Sequence, residues 1–151
     1  MYLPPTSFRG PASLFALACL GFVGCQEASI TNPVIPGGGQ ELILDYAQFE
    51  AEVVDVFTSR GCDSASCHGG GIRGTFQLSP ASDKDPGFDF TQASLQVDAR
   101  QRESSALLLK PLAVPAGGTA HGGEGPTSTF DSESDTDYQK ILTWILAGEL
   151  Q

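Results

Sequence analysis

Apolar side chains recur at helical spacing in two long stretches of the chain. Tyr46, Phe49, Val53, Val56 and Phe57 fall on one face of a helix. They predict an element over residues 45–59, with Asp45 as N-cap and Gly61 as the stop. Tyr138, Ile141, Leu142 and Ile145 follow the i, i+3, i+4, i+7 spacing and predict a second helix over residues 135–147. Ser134 with Asp137 resembles a capping box there, and Gly148 supplies a C-terminal stop. Between them the pattern is weaker. It allows a turn of helix over residues 90–95 and a short helix over residues 104–109, ended by Pro111. Thr75-Phe76-Gln77-Leu78 alternates but is too short to build a sheet alone. Residues 113–134 hold Gly117-Gly118, Gly122-Gly123, Gly125 and Pro126, which predicts a long ordered loop. A loop of that length in a small domain needs something to organise it, and a buried cofactor would do so. The expectation is a small all-α domain, its two terminal helices joined by long loops. Its apolar core is thin for its length, which favours a staple or a cofactor.

The first residues read differently. Arg9 is the only charge before Glu27, and residues 14–23 are apolar but too short to span a bilayer. This is the shape of an export signal. It ends in Phe22-Val23-Gly24-Cys25, which resembles the lipobox of bacterial lipoproteins, although Phe22 stands where leucine is usual. That resemblance implies a signal peptide over residues 1–24, acylation of Cys25, and a product anchored in the bacterial cell envelope, facing the periplasm or the cell surface. Cys19 is a poorer acylation site because it leaves a very short apolar region. An ordinary cleaved signal, with Cys25 incidental, is the alternative. Residues 25–41, with Asn32-Pro33, Pro36 and Gly37-Gly38-Gly39, read as a flexible tether. Residues 42–151 form the folded domain.

Charge narrows the partners. The formal net charge is −10, and every acidic residue lies beyond the signal. Such a domain repels nucleic acid and anionic headgroups and suits a partner with a basic docking surface. Export also leaves only Cys62 and Cys67 as free thiols, in an oxidising compartment where thiols tend to pair.

Those two cysteines carry the candidate chemistry. In Gly61-Cys62-Asp63-Ser64-Ala65-Ser66-Cys67-His68 the second is followed at once by histidine. Two thiols ending in Cys-His is the arrangement that attaches haem c. The thiols add to the vinyl groups and the imidazole ligates the iron. The usual spacing has two residues between the cysteines, and this chain has four. A Cys62–Cys67 disulfide is the rival reading, though so small a loop stabilises little. A zinc site from Cys62, Cys67, His68 and His121 is awkward, because adjacent ligands fit one tetrahedron poorly. The chain has two histidines and one methionine, Met1, which is expected to leave with the signal. A second axial ligand therefore points to His121, in Thr119-Ala120-His121-Gly122-Gly123, where glycines let backbone approach a flat ligand. The plainer reading of His121 is a solvent-exposed loop residue.

In order, the chain has Cys62…Cys67-His68-Gly69, then Gly74-Thr75-Phe76-Gln77-Leu78-Ser79. Ser105-Ala106-Leu107-Leu108-Leu109-Lys110 follows, then His121-Gly122-Gly123, and finally Tyr138 to Trp144-Ile145 and Gly148. This ordered set resembles the cytochrome c-like domains of planctomycete-type surface proteins and related envelope lipoproteins, over residues 45–150. The resemblance implies a cytochrome c-like fold with its terminal helices packed around a haem pocket. It implies one covalent haem c on Cys62 and Cys67, His68 and His121 as axial ligands, and Trp144 and Tyr138 packing near the haem. Trp144 and Tyr138 are equally well read as core residues on an apolar helix face. No Gly-x-Ser-x-Gly elbow, His-Glu-x-x-His or phosphate loop is present, so no enzyme is expected. The acidic residues 131–135 read as a solvated helix start rather than a calcium site. Two functions follow as expectations: a lipid-anchored electron-transfer protein with a redox partner, or a haem-free surface lipoprotein that binds a partner.

Overall fold

The structure, a computed structural model, describes residues 41–70, 74–121 and 129–151. The expected signal peptide, Cys25 and nearly all of the tether lie outside these residues.

The chain enters the domain through a short strand, β1 (Leu42–Ile43), and turns at once into helix. Asp45 caps that helix, its Oδ1 accepting from the Gln48 N–H at 2.9 Å. The helical run, α1, comprises Tyr46–Gln48, a π-helical segment Phe49–Val53 and Val54–Ser59. In the π segment the Val54 N–H reaches back to the Phe49 carbonyl, five residues away. Phe49, Val53, Val54, Val56 and Phe57 are all buried. Gly61, with φ +71°, takes the left-handed conformation that ends the run.

Helix α2 (Pro86–Ser94) is longer than the turn predicted over residues 90–95. Its start is written in Asp85-Pro86, upstream of the apolar pattern: the Asp85 carboxylate accepts from the Phe88 N–H and Pro86 occupies the first turn. Helix α3 (Ala106–Leu109) follows a 3-10 turn at Arg102–Ser104 and stops before Pro111. Helix α4 (Thr136–Ala147) matches its predicted length. Its cap is Asp135 rather than Ser134, with the Asp135 carboxylate accepting from the Asp137 and Tyr138 N–H groups. The Ser134 hydroxyl instead meets that of Ser132 at 2.8 Å.

Gly148 closes α4 without a left-handed residue, at φ −57°. Glycine is needed because a Cβ there would stand 2.8 Å from the Leu44 side chain and 2.9 Å from that of Leu42. The chain then forms β2 (Glu149–Leu150), antiparallel to β1, with Leu42 opposite Leu150 and Ile43 opposite Glu149. Glu41 and Gln151 extend the pairing with two further backbone bonds, at 2.8 and 2.9 Å. The fold is thus mostly helical with one small sheet, which an all-α reading does not include. Two-residue strands are too short to show a period-2 pattern.

The core centres on Phe49. Its ring lies 5.0 Å from that of Trp144, 5.4 Å from Phe90 and 5.9 Å from Phe57, in tilted or edge-to-face contacts. These contacts bind α1 to α2 and α4. Trp144 is fully buried and donates its Nε1–H to the Asp45 carbonyl at 2.8 Å. In the loop after α3 the described residues on either side of 122–128 are held by backbone bonds. Ala113 N–H bonds the Phe130 carbonyl at 2.9 Å, and Thr119 N–H bonds the Leu109 carbonyl at 2.8 Å. Gly118 packs so tightly on Leu112 that a Cβ would meet its carbonyl oxygen at 1.9 Å. Among the described residues no helix is long and apolar enough to cross a membrane. Phe49→Ala is expected to cost about 3–5 kcal/mol of unfolding free energy, read as a lowered urea midpoint. A loss below about 1 kcal/mol would mean that Phe49 is not the centre of the core.

Candidate functional site

Directly after α1, residues 61–70 coil into a tight loop stitched by main-chain bonds. Cys62 N–H reaches the Phe57 carbonyl at 2.8 Å, His68 N–H reaches the Cys62 carbonyl at 2.9 Å, and Gly69 N–H reaches the Ser64 carbonyl at 3.0 Å. The glycines after His68 are demanded by this coil. A Cβ on Gly69 would stand 1.9 Å from the Asp63 carbonyl oxygen, and one on Gly70 would stand 2.3 Å from that of Ala65. The Cys-His-Gly-Gly run therefore serves close approach to its own backbone.

A buried charge network holds the loop to α2. Asp63, 3% exposed, accepts from the Thr58 hydroxyl at 2.7 Å and from Lys84 Nζ at 2.8 Å. The same ammonium lies 3.0 Å from the fully buried Asp89, which also accepts from the Ser79 N–H and hydroxyl. Lys84 thus bridges two buried carboxylates, and removing it would leave both without their cation. Burial pushes the Asp63 carboxyl upward, but the Lys84 ammonium and the Thr58 hydroxyl outweigh it and hold the group below the usual carboxylate range. On the other side, Arg60 grips both oxygens of Asp135 at 2.8 and 3.0 Å and Asp137 at 2.8 Å. Its guanidinium also lies over the Phe130 ring at 5.3 Å. The end of α1 is therefore tied to the start of α4.

His68 emerges from this frame in a defined orientation. Its Nδ1 lies 2.9 Å from the Phe76 carbonyl. An Nδ1–H donated there leaves Nε2 as the free lone pair. The Leu78 N–H bonds the His68 carbonyl at 2.9 Å, so residues 76–78 brace the histidine rather than join a sheet. The tight turn after α3 brings His121 opposite. The two imidazole rings have centroids 5.9 Å apart and planes inclined by only 14°. Both histidines are half-buried.

Both rings line a cavity of about 270 Å³. Its walls are mainly apolar: Phe57 from α1, Phe76, Leu107 from α3, Phe130 and Ile141 from α4. Cys62 lines it as well. Burial, and then the neighbouring Asp63 carboxylate, push the Cys62 thiol up to about 11, so it is a neutral thiol at neutral pH. Cys67 is exposed and does not line the cavity, and both cysteines are free thiols.

The structure thus brings together three of the four residues expected to hold a haem, namely Cys62, His68 and His121. Cys67 lies on the outer side of the same loop. Trp144 and Tyr138 sit away from the cavity wall. Tyr138 packs behind the wall residue Phe130 at 5.7 Å, and Trp144 packs against Phe49 and Phe90 in the core. Ile141 is the α4 residue that reaches the wall. Phe57 and Ile141 could have been picked from the helical pattern, which marks them as facing inward. Phe130 and Lys110, which also line the cavity, carry no local signal. The flanking residues 122 and 123 of the His121 loop lie outside the described residues.

Among the described residues no group of three His, Cys, Asp or Glu side chains could hold a metal ion. A tetrapyrrole brings four of its own nitrogens and asks the protein only for axial ligands. Two imidazoles on opposite sides of one metal have centres roughly 6 Å apart, counting about 2 Å for each metal–nitrogen bond and about 1 Å from nitrogen to ring centre. The observed 5.9 Å matches that figure in separation alone, between rings that lie stacked. No protein-family model, curated protein or solved structure matches the chain.

The Asp63 carboxyl gives the fold an acid limit. Its folded-state pKa is depressed, so its stabilising contribution is fully present above about pH 4 and is lost as pH falls through the folded value. Urea midpoints measured against pH should drop in acid. Asp63→Asn should lower the neutral plateau and flatten that drop. An acid limb of unchanged slope in the variant would remove Asp63 as a source of it.

Proposed function

We propose that the folded domain binds one haem c covalently and transfers single electrons at the cell envelope. The observation that carries the reading is the near-parallel His68–His121 pair, 5.9 Å apart on one apolar cavity that Cys62 also lines.

On this reading His68 and His121 would be the axial ligands and Cys62 would carry one thioether from the cavity wall, while the exposed Cys67 would have to turn inward to carry the other. The Phe76 carbonyl would fix the His68 tautomer so that Nε2 is the nitrogen left to bind a metal. The Gly69 and Gly70 coil and the Asp63–Lys84 pair hold the ligand loop against rotation. Phe57, Phe76, Leu107, Phe130 and Ile141 exclude water from the ring faces. Tyr138 supports that wall from behind, and Trp144 supports it through Phe49. When bound, the haem supplies the one-electron chemistry, and paired imidazoles favour a low potential because no thioether sulfur raises it. The chain's own part is ligation, burial and a docking surface, with no catalysis of its own. Its net charge of −10 suits a redox partner with a basic face and disfavours nucleic acid.

Co-expression with a haem c maturation system should give a red protein, heavier by one haem, whose colour survives acid-acetone extraction. His121→Ala should keep the haem attached yet alter the ligand-field spectrum. A colourless product with a Cys62–Cys67 disulfide would instead favour a haem-free binding module on the same scaffold.

Envelope anchoring belongs to the same proposal and rests on Phe22-Val23-Gly24-Cys25. Cys25→Ala should move the protein from the membrane to the soluble fraction. A wild-type protein that is already wholly soluble would exclude the lipid anchor.

A further inference from the structure

Among the described residues Lys110 is the only charged side chain on the cavity wall. It follows α3 directly, and its Nζ donates to the Ala120 carbonyl at 3.2 Å, one residue before His121. Its exposure places the ammonium at the rim, where apolar wall meets water. The other described cations are engaged differently. Arg60, Lys84 and Lys140 each pair with carboxylates, Arg100 interacts with the Asp98 carboxylate, and Arg102 donates to the carbonyls of Leu146 and Gly148. No described carboxylate lies within ion-pair distance of Lys110. In a chain of net charge −10, an anionic ligand is repelled unless a cation stands where its charge comes to rest. The cavity lies near the lower limit of about 300 Å³ for ligand pockets, so a large flat ligand must project at the rim.

We infer that Lys110 binds the carboxylate tails of the tetrapyrrole, so that the site selects a flat apolar ring bearing anionic groups at its outer edge; this rests on the haem reading above. The ring buries its faces between the two histidines, while its carboxylates stay at the rim and exchange part of their hydration for the ammonium. Lys110 then also sets which edge of the ring faces solvent, because an apolar edge in that place would leave the cation without a counter-charge.

The full chain, produced without the maturation system, is titrated with ferric protoporphyrin IX and separately with its dimethyl ester, which has the same ring but no carboxylate charge. Lys110→Gln should weaken binding of the diacid about fivefold and leave the diester unchanged. Lys110→Arg should restore most of the diacid affinity. The two-imidazole absorption spectrum should be the same in all three proteins, because Lys110 does not ligate the metal. A Lys110→Gln loss that is equal for diacid and diester, or no loss for either, would overturn the inference while leaving the haem reading intact. A wild-type chain that binds neither compound would also overturn the inference, while the haem reading is decided by the maturation experiment above.

Discussion

The hydrogen bond from Trp144 Nε1 to the Asp45 carbonyl joins residues 99 positions apart, and the rest of the domain is arranged around that junction. It couples the first turn of α1 to the middle of α4, with the Phe49 ring packed between Trp144, Phe90 and Phe57. An indole buried this deeply must satisfy its N–H, and a carbonyl at the start of a helix is already committed to the helix geometry. The bond therefore permits one relative placement of the two helices. The β1–β2 pair and the close seat of Gly148 on Leu42 and Leu44 repeat the same constraint at the chain ends.

With α1 and α4 so placed, the site is built on what protrudes from them. The far end of α1 delivers Arg60 to the cap of α4 and then releases the Cys62–His68 loop. The loop would be free to swing if Asp63 did not dive into the interior to share Lys84 with Asp89. A network of buried charge is a costly way to hold a loop, but it is directional, and breaking it leaves unpaired charges. That direction fixes which way His68 faces. From the opposite side, α3 and the turn at Thr119 present His121 and Lys110 to the same cavity.

Much of this was legible in the residues. The two amphipathic helices, the Asp45 cap and the stop at Gly61 follow from periodicity and capping chemistry, which are local. The candidate ligands were legible by scarcity, since a chain with two histidines and one methionine offers few choices. The small sheet was not legible, because two-residue strands carry no pattern. The start of α2 was misjudged because Asp85-Pro86 precedes the apolar residues. The loop after α3 reads as needing a ligand to order it; backbone bonds and the Gly118–Leu112 contact hold its described residues, and residues 122–128 lie outside them. Trp144 reads either as a haem neighbour or as a core residue; it packs against Phe49 and Phe90, and Ile141 is the α4 residue on the cavity wall. Both residues lie on one apolar stripe, and periodicity cannot say which part of a stripe meets a pocket.

By itself the sequence determined where the two long helices form, which residue types can ligate, and that the chain is acidic. These depend on neighbours within a few positions, on counts, and on composition. The tertiary structure decided that His68 and His121 stand 5.9 Å apart with nearly parallel rings, that Cys62 faces the cavity while Cys67 faces out, and that Lys110 stands at the rim. Each of these is a distance or direction between segments remote in the chain. Such quantities are set by how the Phe49 core and the Lys84 charge network pack those segments together, and no local pattern encodes them.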